Sequence, residues 1–346
     1  MEDRWTPITQ LSLELGFRLS AYTAESRFWA TPEPRFKLQY RPLPQHQFEV
    51  SLTRMAQYIH QISNSGLALP IDVWIPTAAN IEPQQSWQAA VAWSYQIPRL
   101  GLKFMTEAYY KQMDQIIGYR EGGSFFDVDL YNLRIKELDW QSLVTQGSGT
   151  SYGAELFVQW KQKRQDASLS YTWSKTLYQF ADRNGGRAFA PRFDRRHAVS
   201  LLYQYRFAKR LELNAAWTFA TGNPFPLPLS QAYFSGHEEI QPNIPEEFSG
   251  VNQSEPRFQF SELDAFRSPL YHRLDASIKI KAKERPRRWD WTYYWELGGY
   301  NLYNRFNPSF YLLEQEVNET EGTQRLRLQE NSLFFFTPSV SFNFEF

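Results

Sequence analysis

The sequence has no cysteine, and this removes disulfide staples, thiolate metal sites and a cysteine nucleophile from consideration. It has no excess of either charge: 37 Lys and Arg balance 37 Asp and Glu over 346 residues, so the electrostatic footprint of a nucleic-acid partner is missing. No run of about 18 apolar residues occurs, so no segment reads as a membrane-spanning helix. Met1 is not followed by a basic start and an apolar stretch, so no export signal is read there. Aromatic residues, in contrast, are plentiful. There are 27 Phe, 20 Tyr and 12 Trp in a chain whose mean hydropathy is −0.56. So many rings in so polar a sequence need a surface to lie on.

That surface is a strand face. Period-2 alternation recurs from end to end and puts apolar side chains on one side of a strand and polar ones on the other. Leu169, Tyr171 and Trp173 alternate with Ser168, Ser170, Thr172 and Ser174. Leu211, Leu213, Ala215, Trp217 and Phe219 do the same against Glu212, Asn214, Ala216 and Thr218. Further runs start at Leu11, Phe36, Trp87 and Leu274, and the chain closes on Val340, Phe342, Phe344 and Phe346. Roughly a dozen strands are read this way, and no amphipathic helix.

The links between strands alternate in length. Short ones centre on 42–45, 97–99, 163–166, 208–210 and 283–288, and long ones run at about 23–34, 60–85, 118–148, 181–195 and 222–270. An up-and-down antiparallel sheet with all its long links at one end is the layout of a transmembrane β-barrel with long extracellular loops. Charge agrees, because Lys37, Glu155, Lys161, Arg206, Glu212, Asp275 and Lys279 fall on the polar face, as a wet lumen requires, while Trp and Tyr gather near the ends of the apolar face.

Specific segments then bring in a family. ALPIDVWIP (68–76), YYKQMDQII (109–117), SYGAEL (151–156), PRFDRRHAVSL (191–201), ATGNPFPLP (220–228), YHRLDASI (271–278), YNLYNRFNP (300–308) and the terminal SVSFNFEF resemble TonB-dependent outer-membrane receptors of the Bacteroidota type. The resemblance spans nearly the whole chain. It implies an all-β fold of about 12 strands, similar to strands 11 to 22 of a 22-stranded receptor barrel, with no plug domain. Even MEDRW at the start is similar to an internal piece of the family just ahead of a strand. The implied partners are outer-membrane lipid, the barrel assembly machinery, and a plug plus N-terminal barrel half on the same or a separate chain. The TonB complex is engaged only through that other part. The implied work is uptake of a bulky nutrient: an oligosaccharide, a peptide or a metal chelate. No cofactor, metal, nucleic-acid partner or enzymatic activity is expected.

Candidate sites follow. Arg192, Asp194, Arg195, Arg196 and His197 can bind an anion through their charges, but a charged structural network at a strand rim is favoured, and the resemblance agrees because the motif marks a strand start. Loop aromatics carry any substrate recognition, with Trp74, Tyr233, Phe234 and His237 singled out; mutual packing explains them equally well. Phe342, Phe344 and Phe346 are similar to the C-terminal signal that assembly machinery reads by strand addition. The five histidines lie on separate segments without metal-ligand spacing, and no Gly-x-Ser-x-Gly elbow marks a hydrolase. Two alternatives remain: an autonomous small porin, in which a first strand near 9–22 closes on the last, and a soluble carbohydrate-binding β protein. The deciding feature is which face of the wall meets lipid.

Overall fold

The computed structural model describes residues 1–24, 27–63, 72–120, 140–233, 256–260, 262–282, 292–318 and 323–345. One antiparallel sheet of 13 strands dominates it, and its spatial order follows the chain. Its strands are β1 (Glu2–Ile8), β2 (Leu11–Ala24), β3 (Arg27–Leu43), β4 (His46–Gln57), β5 (Gln84–Ile97), β6 (Leu102–Tyr119) and β7 (Val144–Gln162). They continue as β8 (Gln165–Gln179), β9 (His197–Ala208), β10 (Leu211–Ala220), β11 (Tyr271–Lys281), β12 (Thr292–Tyr300) and β13 (Thr337–Glu345). Strands of up to 19 residues are far longer than a globular sheet needs and long enough to cross a bilayer at a tilt.

Exposure settles the orientation of the two faces. Leu15, Phe17, Val50, Leu52, Val91, Leu201, Ile278, Leu297 and Val340 all stand out from the wall. On the other face Glu33 is 2% exposed and accepts a hydrogen bond from Ser20 Oγ at 2.5 Å. Glu212 is likewise buried, held by Gln204 Nε2 at 2.6 Å, Arg206 at 3.4 Å and Lys281 at 3.9 Å. Among the described residues the buried apolar side chains, Ala90 apart, lie in the links at the long-loop end or on the link-side portions of the strands that lead into them, as Met113, Ile116, Tyr119, Val144 and Ala220 do. A soluble sandwich does the reverse, burying its apolar face and wetting its polar one. The apolar flank is therefore built for lipid and the polar flank for water.

Aromatics border the apolar flank at both ends. Towards the short turns Trp93 stacks on Tyr95 (6.1 Å), Tyr203 on Tyr205 (6.4 Å), and Trp295 meets Phe342 (4.9 Å). Towards the long links Trp217 stacks on Phe219 (6.0 Å). The two rows mark the membrane interfaces.

Three features differ from the sequence reading. The segment MEDRW belongs to a strand: β1 pairs with β2 from Glu2↔Gly16 to Ile8↔Leu11, so the first strand is β1, not the run beginning near Thr9. The expected long link at 23–34 is short, because β2 runs to Ala24 and β3 begins at Arg27. The strand carries Pro32 and Pro34 across this stretch, yet β3 pairs with β4 only from Arg35 onward, so these prolines face an open side where a missing N–H costs no ladder bond. A further long link, 301–336, went unread; it contains a hairpin of Phe310–Asn318 with Thr323–Asn331. Other long links also carry hairpins, Ile59–Ser63 with Asp72–Pro76 and Pro228–Tyr233 with Pro256–Phe260. The short link expected at 283–288 lies outside the described residues.

Candidate functional site

The loop end is where this chain packs like a globular protein. Ile62, Ile75, Ala78, Ile81, Tyr119 and Val144 form one apolar cluster, and Met113, Ile116, Phe180 and Phe189 form a second. Such clusters hold long links as a defined layer over the wall. Within the first, His60 is buried, and its Nε2 lies 3.1 Å from Thr77 Oγ1. Burial lowers its pKa to about 4, so the ring is neutral at physiological pH.

A cavity of about 410 Å³ opens beside the second cluster. Phe180, only 1% exposed, forms part of its wall and stacks on Phe189 at 6.1 Å. The Arg183 guanidinium lies over both rings, at 5.2 and 5.3 Å. On the opposite side Phe225 stacks on Tyr311 at 5.0 Å, and Arg192, Gln61, Asp72 and Asn223 supply polar groups. The volume lies within the range of small-molecule sites, and apolar walls with a few convergent polar groups are the usual composition of such sites.

The charged motif beside this cavity is a fastener. Asp194 is buried; its Oδ2 accepts from Arg267 Nη2 at 2.7 Å and Arg196 Nη2 at 3.2 Å, and its Oδ1 accepts from the Thr176 amide at 2.8 Å. Arg267 Nη1 also donates to Gly222 O at 3.1 Å. One carboxylate thus ties the top of β8 to links 180–196 and 221–270. Gly222 is required there, since a Cβ would lie 1.6 Å from Ser268 O. Arg195 Nε donates to Asn223 Oδ1 at 2.9 Å, and His197 Nδ1 lies 2.9 Å from Tyr171 Oη. Of the five motif residues, Arg192 alone lines the cavity.

A second fastener uses YHRLDASI and YNLYNRFNP. Asp275 Oδ1 accepts from the Asn301 amide at 2.9 Å, and Arg273 bridges Asp275 to the Tyr300 hydroxyl at 2.5 Å. Asn301, fully buried, donates to Arg305 O at 2.8 Å, and Asn307 Nδ2 donates to His272 O at 3.0 Å. Asn301 and Asn304 adopt left-handed conformations (φ 53° and 52°), which asparagine tolerates better than most residues. Both motifs are therefore loop anchors.

The other candidates read from the sequence scatter. Trp74 sits on the hairpin opposite Gln61 and is 62% exposed, outside the cavity lining. Tyr233 ends a hairpin strand opposite Pro256. Phe234, His237 and Phe346 lie outside the described residues. Phe342 and Phe344 stand on the lipid flank of β13, 6.3 Å apart. Phe180, Phe189, Phe225 and Tyr311 were missed because they come from three links far apart in sequence. Gly185 and Gly186 were the one local hint of a built turn there, at φ 62° and 74°. Among the described residues no three His, Asp or Glu side chains converge as metal ligands.

A lipid-facing antiparallel wall, a polar lumen face and anchored long loops define the transmembrane β-barrel class. The family described as TonB dependent receptor-like, beta-barrel matches residues 1–304, and the chain belongs to it. Solved structures agree on the fold. The ferric-catecholate import receptor Fiu from E. coli K12 superposes with a TM-score of 0.54 at 13% identity, covering 99% of this chain and 43% of that one. The ferric yersiniabactin uptake receptor FyuA from Yersinia pestis gives 0.56 at 10%, covering 99% and 44%. The FrpB iron transporter from Neisseria meningitidis gives 0.54 at 11%, covering 88% and 40%. The chain thus spans less than half the length of these receptors. No curated protein matches it.

Proposed function

We propose that this chain is the C-terminal wall of an outer-membrane receptor that takes up a bulky nutrient, an oligosaccharide, a peptide or a metal chelate, with further strands and a plug supplied by the same or a separate chain. The observation that carries the reading is the pairing of a lipid-facing wall with a walled cavity at its loop end. Open edges at β1 and β13 support completion by other strands, since unpaired backbone groups in hydrocarbon cost several kcal/mol each. The small-porin alternative needs a β1–β13 ladder, and the sheet order carries these strands as its two ends. Coupling to TonB belongs to the completing part. Phe342 and Phe344, exposed on the last strand of the sheet, suit strand-addition recognition by assembly machinery. The Bacteroidota subtype rests on the segments quoted above.

Deletion of the coding region, followed by growth on panels of oligosaccharides, peptides and metal chelates, tests the proposal. Loss on one class is expected, restored by the complete coding region and poorly by a copy carrying Phe225→Ala with Arg192→Ala. Unchanged growth on every source overturns it.

A further inference from the structure

The short-turn end of the wall carries a charge pattern that neither the fold nor uptake requires. Three consecutive turns, 98–101, 163–164 and 209–210, present Arg99, Lys163, Arg164 and Lys209, all exposed and without a carboxylate partner among the described residues. The acids nearest them, Asp166 and Glu212, are engaged on the lumen face by Lys161, Arg206 and Lys281. The first two turns of the sheet, Thr9–Gln10 and Pro44–Gln45, carry no charge. Among the described turns of this end, the positive patch therefore lies in the sector β5–β10.

We propose that this sector binds the anionic headgroups of acidic phospholipids in the inner leaflet of the membrane. Placement argues for lipid. The cations sit at the rim of the lipid-facing flank, directly beyond the paired Leu102 and Trp160 and beyond Tyr205 and Phe207, whose rings meet at 4.7 Å. A ring belt marks the interface, and a Lys or Arg one or two residues further out lies at headgroup depth. Neighbouring turns are two strands apart, about 10 Å, so their fields overlap within a Debye length and act together on a phosphate layer. Basic residues at a membrane surface attract acidic lipids in this way.

The test uses the full chain in phosphatidylcholine bilayers containing phosphatidylglycerol, with spin-labelled analogues of each lipid reporting association by electron paramagnetic resonance. The inference rests on the membrane reading of the wall, and the two fail differently. No motionally restricted lipid of either kind overturns both; equal restriction of both lipids overturns only the inference. Expected is a roughly fivefold preference for phosphatidylglycerol at low salt that falls towards unity at high salt. The variant Arg99→Gln, Lys163→Gln, Arg164→Gln, Lys209→Gln loses the preference, whereas Arg99→Lys with Arg164→Lys keeps it. A neutralised variant that retains the full preference, or a charge-keeping variant that loses it, overturns the proposal. So does lack of lipid preference combined with capture of an acidic protein by the same four residues.

Discussion

Asp194 shows how much of a loop layer can hang on one side chain. It is buried, bound by two arginines and one amide, and joins residues 18 and 73 positions away. Removing one partner of a buried ion pair leaves the others desolvated and unpaired, so Asp194→Ala is expected to cost about 3–5 kcal/mol. Hydrogen exchange at 190–197 and 222–223 should speed up, while exchange in β2 and β3 stays unchanged. Replacing the more exposed Arg267 should cost less. His60 acts through pH. Its pKa is lowered to about 4 in the folded hairpin, so as pH falls from about 6.5 to 4 the unfolded state takes up a proton that the folded state refuses. Stability is therefore complete above pH 6.5 and lost progressively below it. Hydrogen exchange of 59–63 and 72–77, corrected for intrinsic rates, should rise over that window, and His60→Gln should flatten the rise.

At the scale of a strand, β5 gives the sharpest contrast between faces. Val91 stands on the lipid flank between Trp87 and Trp93, whereas Ala92 faces the lumen with Glu49 and Glu107 as its register partners. A cation on the lipid flank near mid-membrane costs about 2–4 kcal/mol, so Val91→Arg should lower folding yield into vesicles and the urea midpoint. Ala92→Lys places its charge between two carboxylates and should be tolerated. Were Ala92→Lys the more damaging of the two, the assignment of faces would be reversed. The strands themselves were legible because the alternation is local. Leu211 to Ala220 shows its two faces in ten letters, and the ladder to β11 confirms them pair by pair. The links were less legible, since proline at 32 and 34 signals a break only if both sides of β3 are paired, and pairing is not a local property.

For the molecule as a whole the decisive property is closure. The sheet runs from β1 to β13 with those strands at its ends. The cysteine-free background makes a direct check possible: Trp5→Cys combined with Phe344→Cys should form no intramolecular disulfide, because the two edges lie at opposite ends of the sheet. Rapid intramolecular crosslinking in monodisperse protein would instead favour the small closed pore. The cavity belongs to this scale as well. Its aromatic wall draws on links 180–196, 221–270 and 301–336, so no window of sequence contains it.

The sequence by itself determined which residues share a strand face, and which of the two faces is polar, because a strand's side chains alternate whatever its neighbours are; that the apolar face is the outward one came from its exposure in the structure. Only the tertiary structure decided what the charged and asparagine-rich segments do and where a cavity forms. Those outcomes depend on which links meet above the wall, and that is set by long-range packing of Phe180, Phe189, Phe225 and Tyr311, not by spacing along the chain.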